Sequence, residues 1–241
     1  MKKKLCVFAL IVLTAIFAVS TYFLLTQNIE DKKQMNDFEE IQDIVDDNSN
    51  EIYSLGIYSD LYEQNSDFMA WIKIEGTNIN YPVMRSKDNP NYYLNHNFNK
   101  EYSRFGVPYM QEDCDMQSDN IVIYGHNMQN KSMFNELINY KSKHFYEKHK
   151  NIIIDSVLEH RKYEVIAVFK TVAYESNSFE YYNFVNASTE EDYRAYIEKC
   201  KALSLYDTGI DAKYGDKLIT LSTCEYSQDN GRFVVVAKLV D

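Results

Sequence analysis

The sequence predicts a mainly β domain, an antiparallel sheet or barrel with a few inserted helices. It lies behind a helical N-terminal segment and one membrane-spanning helix. Three observations carry this. From residue 66 onward, short runs rich in Val, Ile, Tyr and Phe alternate with turn residues. Helical periodicity is confined to a few segments, chiefly 28–65, 133–144 and 188–203. Residues 5–25 form one apolar run without a charge.

The chain opens with Met1-Lys2-Lys3-Lys4, and Leu5 to Leu25 follow as 21 uncharged residues. At about 1.5 Å per residue such a helix spans roughly 30 Å, the thickness of a bilayer's hydrocarbon core. Three lysines before the run favour an N-terminus inside the cell, with everything after Thr26 outside. A cleaved signal peptide is the competing reading, with Ala18-Val19-Ser20 as the cleavage site. The run exceeds the roughly 7–15 apolar residues usual in a signal peptide, which favours an uncleaved anchor.

Residues 28–65 read as a helical stalk. Met35, Phe38, Ile41 and Ile44/Val45 recur at helical spacing, Asp46 to Asn50 break the pattern, and Glu51 to Tyr62 form a second helix. Trp71–Ile74 and Ile79–Val83 flank the turn Glu75-Gly76-Thr77-Asn78 as a hairpin. Gly106–Met110, Ile121–Tyr124, Ile152–Val157, Tyr163–Ala173, Leu218–Thr223 and Phe233–Val240 are the further strands. Met133 to His144 is predicted helical. Ser188-Thr189-Glu190-Glu191 reads as a capping box that opens a helix with Tyr193, Tyr196/Ile197, Cys200 and Leu203 on one side.

Composition excludes several classes. Glycine and proline number 7 and 3, against collagen-like or proline-rich disorder, and 21 tyrosines supply a large core. The net charge is −11; setting aside the three lysines before the anchor leaves −14 for the remainder. No basic face suits nucleic acid, so none is expected as a partner. No Cys-x-x-Cys, His-x-x-x-His or Gly-rich phosphate loop is present, so neither a metal nor another cofactor is expected. Outside the anchor stand Cys114, Cys200 and Cys224, an odd number that leaves at least one free thiol. Cys200 falls on the apolar stripe of its helix and reads as structural. The histidines at 96, 144, 149 and 160 read as surface residues.

Two stretches carry chemistry. Leu218 to Glu225 and Phe233 to Val236 form strands joined through residues 225–231, a hairpin that brings Cys224 beside Arg232 at the rim of the sheet. A guanidinium there can stabilise a thiolate or donate to an oxyanion. The bland alternative is a buried strand-end cysteine and a solvated arginine. The second stretch, Asn120 to Met128, ends a buried-type strand in Gly125-His126, where an imidazole can meet a thiol from a neighbouring strand.

Thr220-Leu221-Ser222-Thr223-Cys224 with Arg232 downstream and Gly125-His126-Asn127 upstream resembles the sortases, most closely class B. The hairpin Trp71–Val83, the text Tyr92-Tyr93-Leu94-Asn95-His96 and the helix at about 188–203 extend the resemblance over residues 66–241. It implies an eight-stranded sortase-like β-barrel and a membrane-anchored cysteine transpeptidase of Gram-positive bacteria. By motif match Cys224 is the nucleophile, His126 the general acid/base and Arg232 the oxyanion or positioning cation. Ser222 and Glu225 match positions around the bound signal. The implied partners are secreted proteins bearing a C-terminal sorting signal, cleaved at a Thr carbonyl, and a cell-wall peptide amine or a pilin lysine. Residues 1–4 become a cytoplasmic tail, 5–25 the anchor, 26–65 the stalk and 66–241 the catalytic domain on the extracellular face.

A free cysteine titrates at about 8.5 and a free histidine at about 6.5, so at pH 7 only a minor fraction of such a pair is thiolate with imidazolium. That fraction is the competent one, which predicts a slow enzyme with a bell-shaped pH–rate profile. Two other functions compete. A cysteine hydrolase or L,D-transpeptidase is disfavoured because His126 precedes Cys224 and Thr223, not glycine, precedes the cysteine. A non-catalytic, membrane-tethered binding domain predicts that Cys224 is dispensable.

Overall fold

The computed structural model describes residues 2–48, 55–175 and 177–241. The chain divides into two compact units after Asp47. The first is a single helix, α1 (Lys2–Asn48), of 47 residues. Its apolar part is long enough to cross a membrane, and the large side chains there are exposed, Leu5 at 70% and Phe17 at 73%. The predicted break at Asp46–Asn50 does not fall before Asn48, and residues 49 and 50 lie outside the described residues. So does the start of the predicted second helix; α2 occupies Leu55–Gln64.

The second unit is a closed eight-stranded barrel in the order β1-β2-β3-β4-β7-β8-β6-β5. Strands β1 (Phe68–Lys73) and β2 (Asn80–Met84) form the predicted hairpin. Gly76 takes φ +75° in its turn, and Trp71 Nε1 donates to Asn80 Oδ1 at 2.7 Å. Strand β3 is only Tyr109–Met110, shorter than the predicted 106–110. Gly106 is left-handed at φ +55°, and Pro108 has no N–H to give a ladder. The remaining strands are β4 (Asn120–Tyr124), β5 (Asn151–Asp155), β6 (His160–Val172), β7 (Leu218–Cys224) and β8 (Gly231–Leu239).

The barrel is mixed, not antiparallel throughout: β2 pairs β3, and β4 pairs β7, in parallel. Residue patterns place strands but do not orient a pair whose members are some hundred residues apart. The long crossover through β5, β6 and α4 (Glu190–Leu203) supplies the return that a parallel pair needs. Helix α4 is capped one residue later than predicted: the Thr189 hydroxyl accepts from the Asp192 N–H at 3.1 Å. The predicted helix at 133–144 is instead a 3-10 turn, Asn135–Lys141, and a short α3, Lys143–Lys148. Met133 at φ +57° and the extended Ser142 interrupt it.

Phe233 to Ala237 are completely buried, as both faces of β8 are covered. Phe233 and the three valines at 234–236 each contribute about 1.5–3 kcal/mol through burial. The β4–β7 seam carries a buried polar network in which every member is partnered. Thr220 Oγ1 donates to Asn120 Oδ1 at 2.8 Å and lies 3.1 Å from Tyr196 Oη, and Asn120 Nδ2 donates to the Phe184 carbonyl at 2.7 Å. An unsatisfied group here would cost about 1–3 kcal/mol, so the network ties α4 and residue 184 to this strand pair.

Candidate active site

Parallel pairing brings the candidate site residues to one rim of the barrel. Tyr124 stands opposite Ser222, so β4 and β7 leave the barrel on the same rim. Gly125-His126 therefore emerges beside Thr223-Cys224. The β7–β8 hairpin adds Arg232 directly across from Cys224. Residues paired across a ladder project to the same face with Cβ atoms about 4.5–5.5 Å apart. Cys224, His126 and Arg232 line one cavity of about 390 Å³ at this rim.

The histidine is positioned by its neighbours. The turn Tyr92–Leu94 presents the Leu94 carbonyl, which lies 2.8 Å from His126 Nε2. A carbonyl only accepts, so Nε2 carries a proton and Nδ1 is the nitrogen left to exchange one. Gly106 makes that turn possible, because a Cβ there would come within 2.5 Å of the Leu94 carbonyl oxygen. Gly125 is needed for a close approach of a ring rather than of backbone: an added Cβ would meet Phe134 at 2.6 Å.

The arginine has no carboxylate within ion-pair distance among the described residues. Among the described residues its guanidinium makes one hydrogen bond, from Nη1 to the Gly231 carbonyl at 3.0 Å. Tyrosines surround it. Burial pushes the Tyr109 phenol up to about 12; neighbouring Tyr174 adds to the rise and Arg232 opposes it. Burial likewise pushes Tyr181 up to about 12, against the hydrogen bond from Ser222 and the charge of Arg232. Both phenols stay neutral at physiological pH and leave the guanidinium's charge uncompensated.

Three cysteines lie in the barrel unit, and all are unpaired. Cys114 and Cys200 are buried at 1% and 0% exposure, and burial pushes both thiols up to about 12. Cys224 alone of the three is partly exposed.

The two residues expected around a bound signal differ in placement. Ser222 lines the cavity, but it is 1% exposed and its hydroxyl lies 2.6 Å from Tyr181 Oη. Glu225 is not among the cavity-lining residues; its carboxylate takes Lys170 Nζ at 2.9 Å and also bonds Ser227. Those hydrogen bonds, Lys170 first, hold its carboxyl below the usual range. The sequence did not single out the tyrosines at 109, 124, 174, 181 and 182, which wall the cavity. For Tyr174, Tyr181 and Tyr182 the one signal is the aromatic-rich stretch between β6 and α4, which carries no clear periodicity.

A sortase domain model matches residues 72–240. The chain belongs to the sortase family. This sortase is 31% identical to sortase B of Staphylococcus aureus over 99% of its own length and 98% of that protein. It is 36% identical to sortase B of Listeria monocytogenes, over 75% of this chain and 73% of that one. A Staphylococcus aureus sortase B–substrate complex superposes with a TM-score of 0.78 at 30% identity, covering 88% of this chain and 99% of that one. The sortase is thus a class B enzyme with cysteine transpeptidase activity and a cell-wall function. Its N-terminal helix is a candidate membrane span.

Proposed function

We propose that this sortase cleaves a C-terminal sorting signal of secreted proteins at a Thr carbonyl and transfers the protein to a cell-wall amine. Cys224, His126 and Arg232 are the working residues. The single observation that carries this reading is their convergence on one rim cavity, from β7, the exit of β4 and β8. The Cys224 thiolate attacks the Thr carbonyl carbon, and the carbonyl electron pair moves onto oxygen. Arg232, with no carboxylate partner among the described residues, donates to that oxyanion. The intermediate collapses and expels the amine, which takes a proton from the His126 imidazolium and leaves a thioester. An incoming amine then attacks the thioester, His126 takes its proton, and Cys224 departs as thiolate.

Residues 5–25 anchor the enzyme in the cell membrane with the N-terminus inside, and residues 66–241 act on the outer face. The apolar composition of α1 and the three lysines before it support this topology. Ser222, held by Tyr181, shapes the floor beside the nucleophile. Glu225, engaged by Lys170, steadies the strand end that flanks the bound signal.

The test is product analysis of the full chain in detergent with a library of pentapeptide signals and an amine acceptor. Amine adducts are expected to form, with a rate that falls on both the acid and alkaline sides of an optimum. A thiol–imidazole pair that works in one protonation state gives such a profile. Hydrolysis with no adduct under any condition, or a rate flat from about pH 5 to 10, would favour a hydrolase or a different pair.

A further inference from the structure

We propose that Asn127 is a positioning residue: its carboxamide, oriented by Asn135, ties the loop bearing His126 to the strand end bearing Cys224. The inference rests on the roles given above to Cys224 and His126.

Among the described residues, no side-chain hydrogen bond joins His126 to β7 or β8. Its ring bonds the Leu94 carbonyl, and its own carbonyl accepts from the Phe134 N–H at 2.8 Å. Where the imidazole stands relative to the sulfur is therefore set by the residues on either side. On the N-terminal side, Gly125 N–H donates to the Ser222 carbonyl at 3.1 Å, and Thr223 Oγ1 donates to the Gly125 carbonyl at 2.7 Å. The first continues the β4–β7 ladder by one backbone bond, and the second adds a side-chain bond at its end. On the C-terminal side the Asn127 side chain takes over. Its Nδ2 donates to the carbonyl of Cys224 itself at 2.8 Å. The Tyr226 hydroxyl adds a bond to the Asn127 carbonyl at 3.1 Å.

The amide's direction is also fixed. Asn135 Nδ2 donates to Asn127 Oδ1 at 2.6 Å, so the Asn127 oxygen is occupied and its NH₂ faces Cys224. Asn135 begins the 3-10 turn just after Phe134, which is fully buried and whose ring covers Gly125. Two amides in series thus run from a core-anchored turn to the backbone of the nucleophile. A displacement of about 1 Å in a reacting pair can cost on the order of 100-fold in rate.

The experiment is steady-state kinetics of the full chain in detergent, with the pentapeptide signal that the wild-type enzyme processes fastest. The variants are Asn127→Ala, Asn127→Asp, Asn135→Ala and the double alanine variant. Asn127→Asp keeps the shape but removes the N–H toward Cys224. Both Asn127 variants are expected to lower kcat about 10–100-fold and leave KM within about twofold. They should also change the width of the pH–rate profile, because the stability of the thiolate–imidazolium pair depends on its separation. Asn135→Ala is expected to lower kcat about 3–10-fold, and the double variant to be no worse than Asn127→Ala.

Wild-type kcat and pH profile in Asn127→Asp would overturn the proposal. So would a loss that merely tracks the folded fraction, or independent, multiplicative effects in the double variant. If the Asn127 variants do not fold, Asn135→Ala decides alone, since it leaves Asn127 in place; an unchanged kcat there overturns the inference. Cys224→Ala run in parallel separates the two levels. An active Cys224→Ala removes the assignment of the nucleophile. An inactive one beside wild-type Asn127 variants removes only the positioning role.

Discussion

Cys224→Ala is expected to reduce amine transfer by on the order of 10⁴–10⁶-fold, to the level of the uncatalysed background. No other sulfur can substitute. Cys114 and Cys200 are enclosed, with thiols pushed up to about 12, so their thiolate populations are negligible at neutral pH and no substrate reaches them. Cys6 lies within the apolar N-terminal helix. The substitution removes one sulfur from a half-exposed strand end and leaves the β7–β8 ladder intact, so the melting temperature should stay close to wild type. Kinetics with a sorting peptide, beside a thermal melt, check both parts. Transfer within tenfold of wild type by a folded variant would contradict the account.

The second large effect concerns Arg232. Arg232→Ala is expected to lower kcat by about 10²–10³-fold, the usual result of deleting a donor to a developing oxyanion. Arg232→Lys should recover little of it. Lysine keeps the charge but replaces a planar fork with a point donor on a flexible stem. The guanidinium is held by the ladder position opposite Cys224 and by one bond to the Gly231 carbonyl, and the neutral phenols of Tyr109 and Tyr181 lie near enough to feel its charge. A lysine has no equivalent of that fixed geometry. Peptide KM should move less than kcat, because the oxyanion exists only in the transition state and intermediate. An Arg232→Ala enzyme with altered KM and unchanged kcat would instead make Arg232 a ground-state binding residue.

What the sequence made legible follows from its physics. The hairpin at 71–83 and strands β6 to β8 have strong β-forming runs and turn residues, and they appear within a residue or a few of expectation. Cys224 and Arg232 are separated by one short hairpin loop, so their pairing could be read from spacing. His126 could not be placed in this way. Its meeting with Cys224 depends on β4 and β7 running parallel, a fact set by the long crossover and not by local pattern. Two members of the tyrosine wall were hidden for a related reason. Tyr109 comes from a two-residue strand and Tyr181 from a 3-10 turn, elements too short to carry a period. Met133 misled the helix assignment, since a left-handed residue outside glycine leaves no signature in an apolar run. The Asn127–Asn135 relay depends on the direction of two amides, which no residue count contains.

The most direct measurement is the intact mass of the full-length enzyme, quenched in acid after brief exposure to a cognate sorting peptide without an amine acceptor. The account predicts a single acyl adduct with the mass of the peptide up to and including its Thr residue. It should map to Cys224, vanish when an amine is added before the quench, and be absent from Cys224→Ala. An adduct on another residue, or transfer to amine at full rate with no adduct on any sulfur, would contradict it.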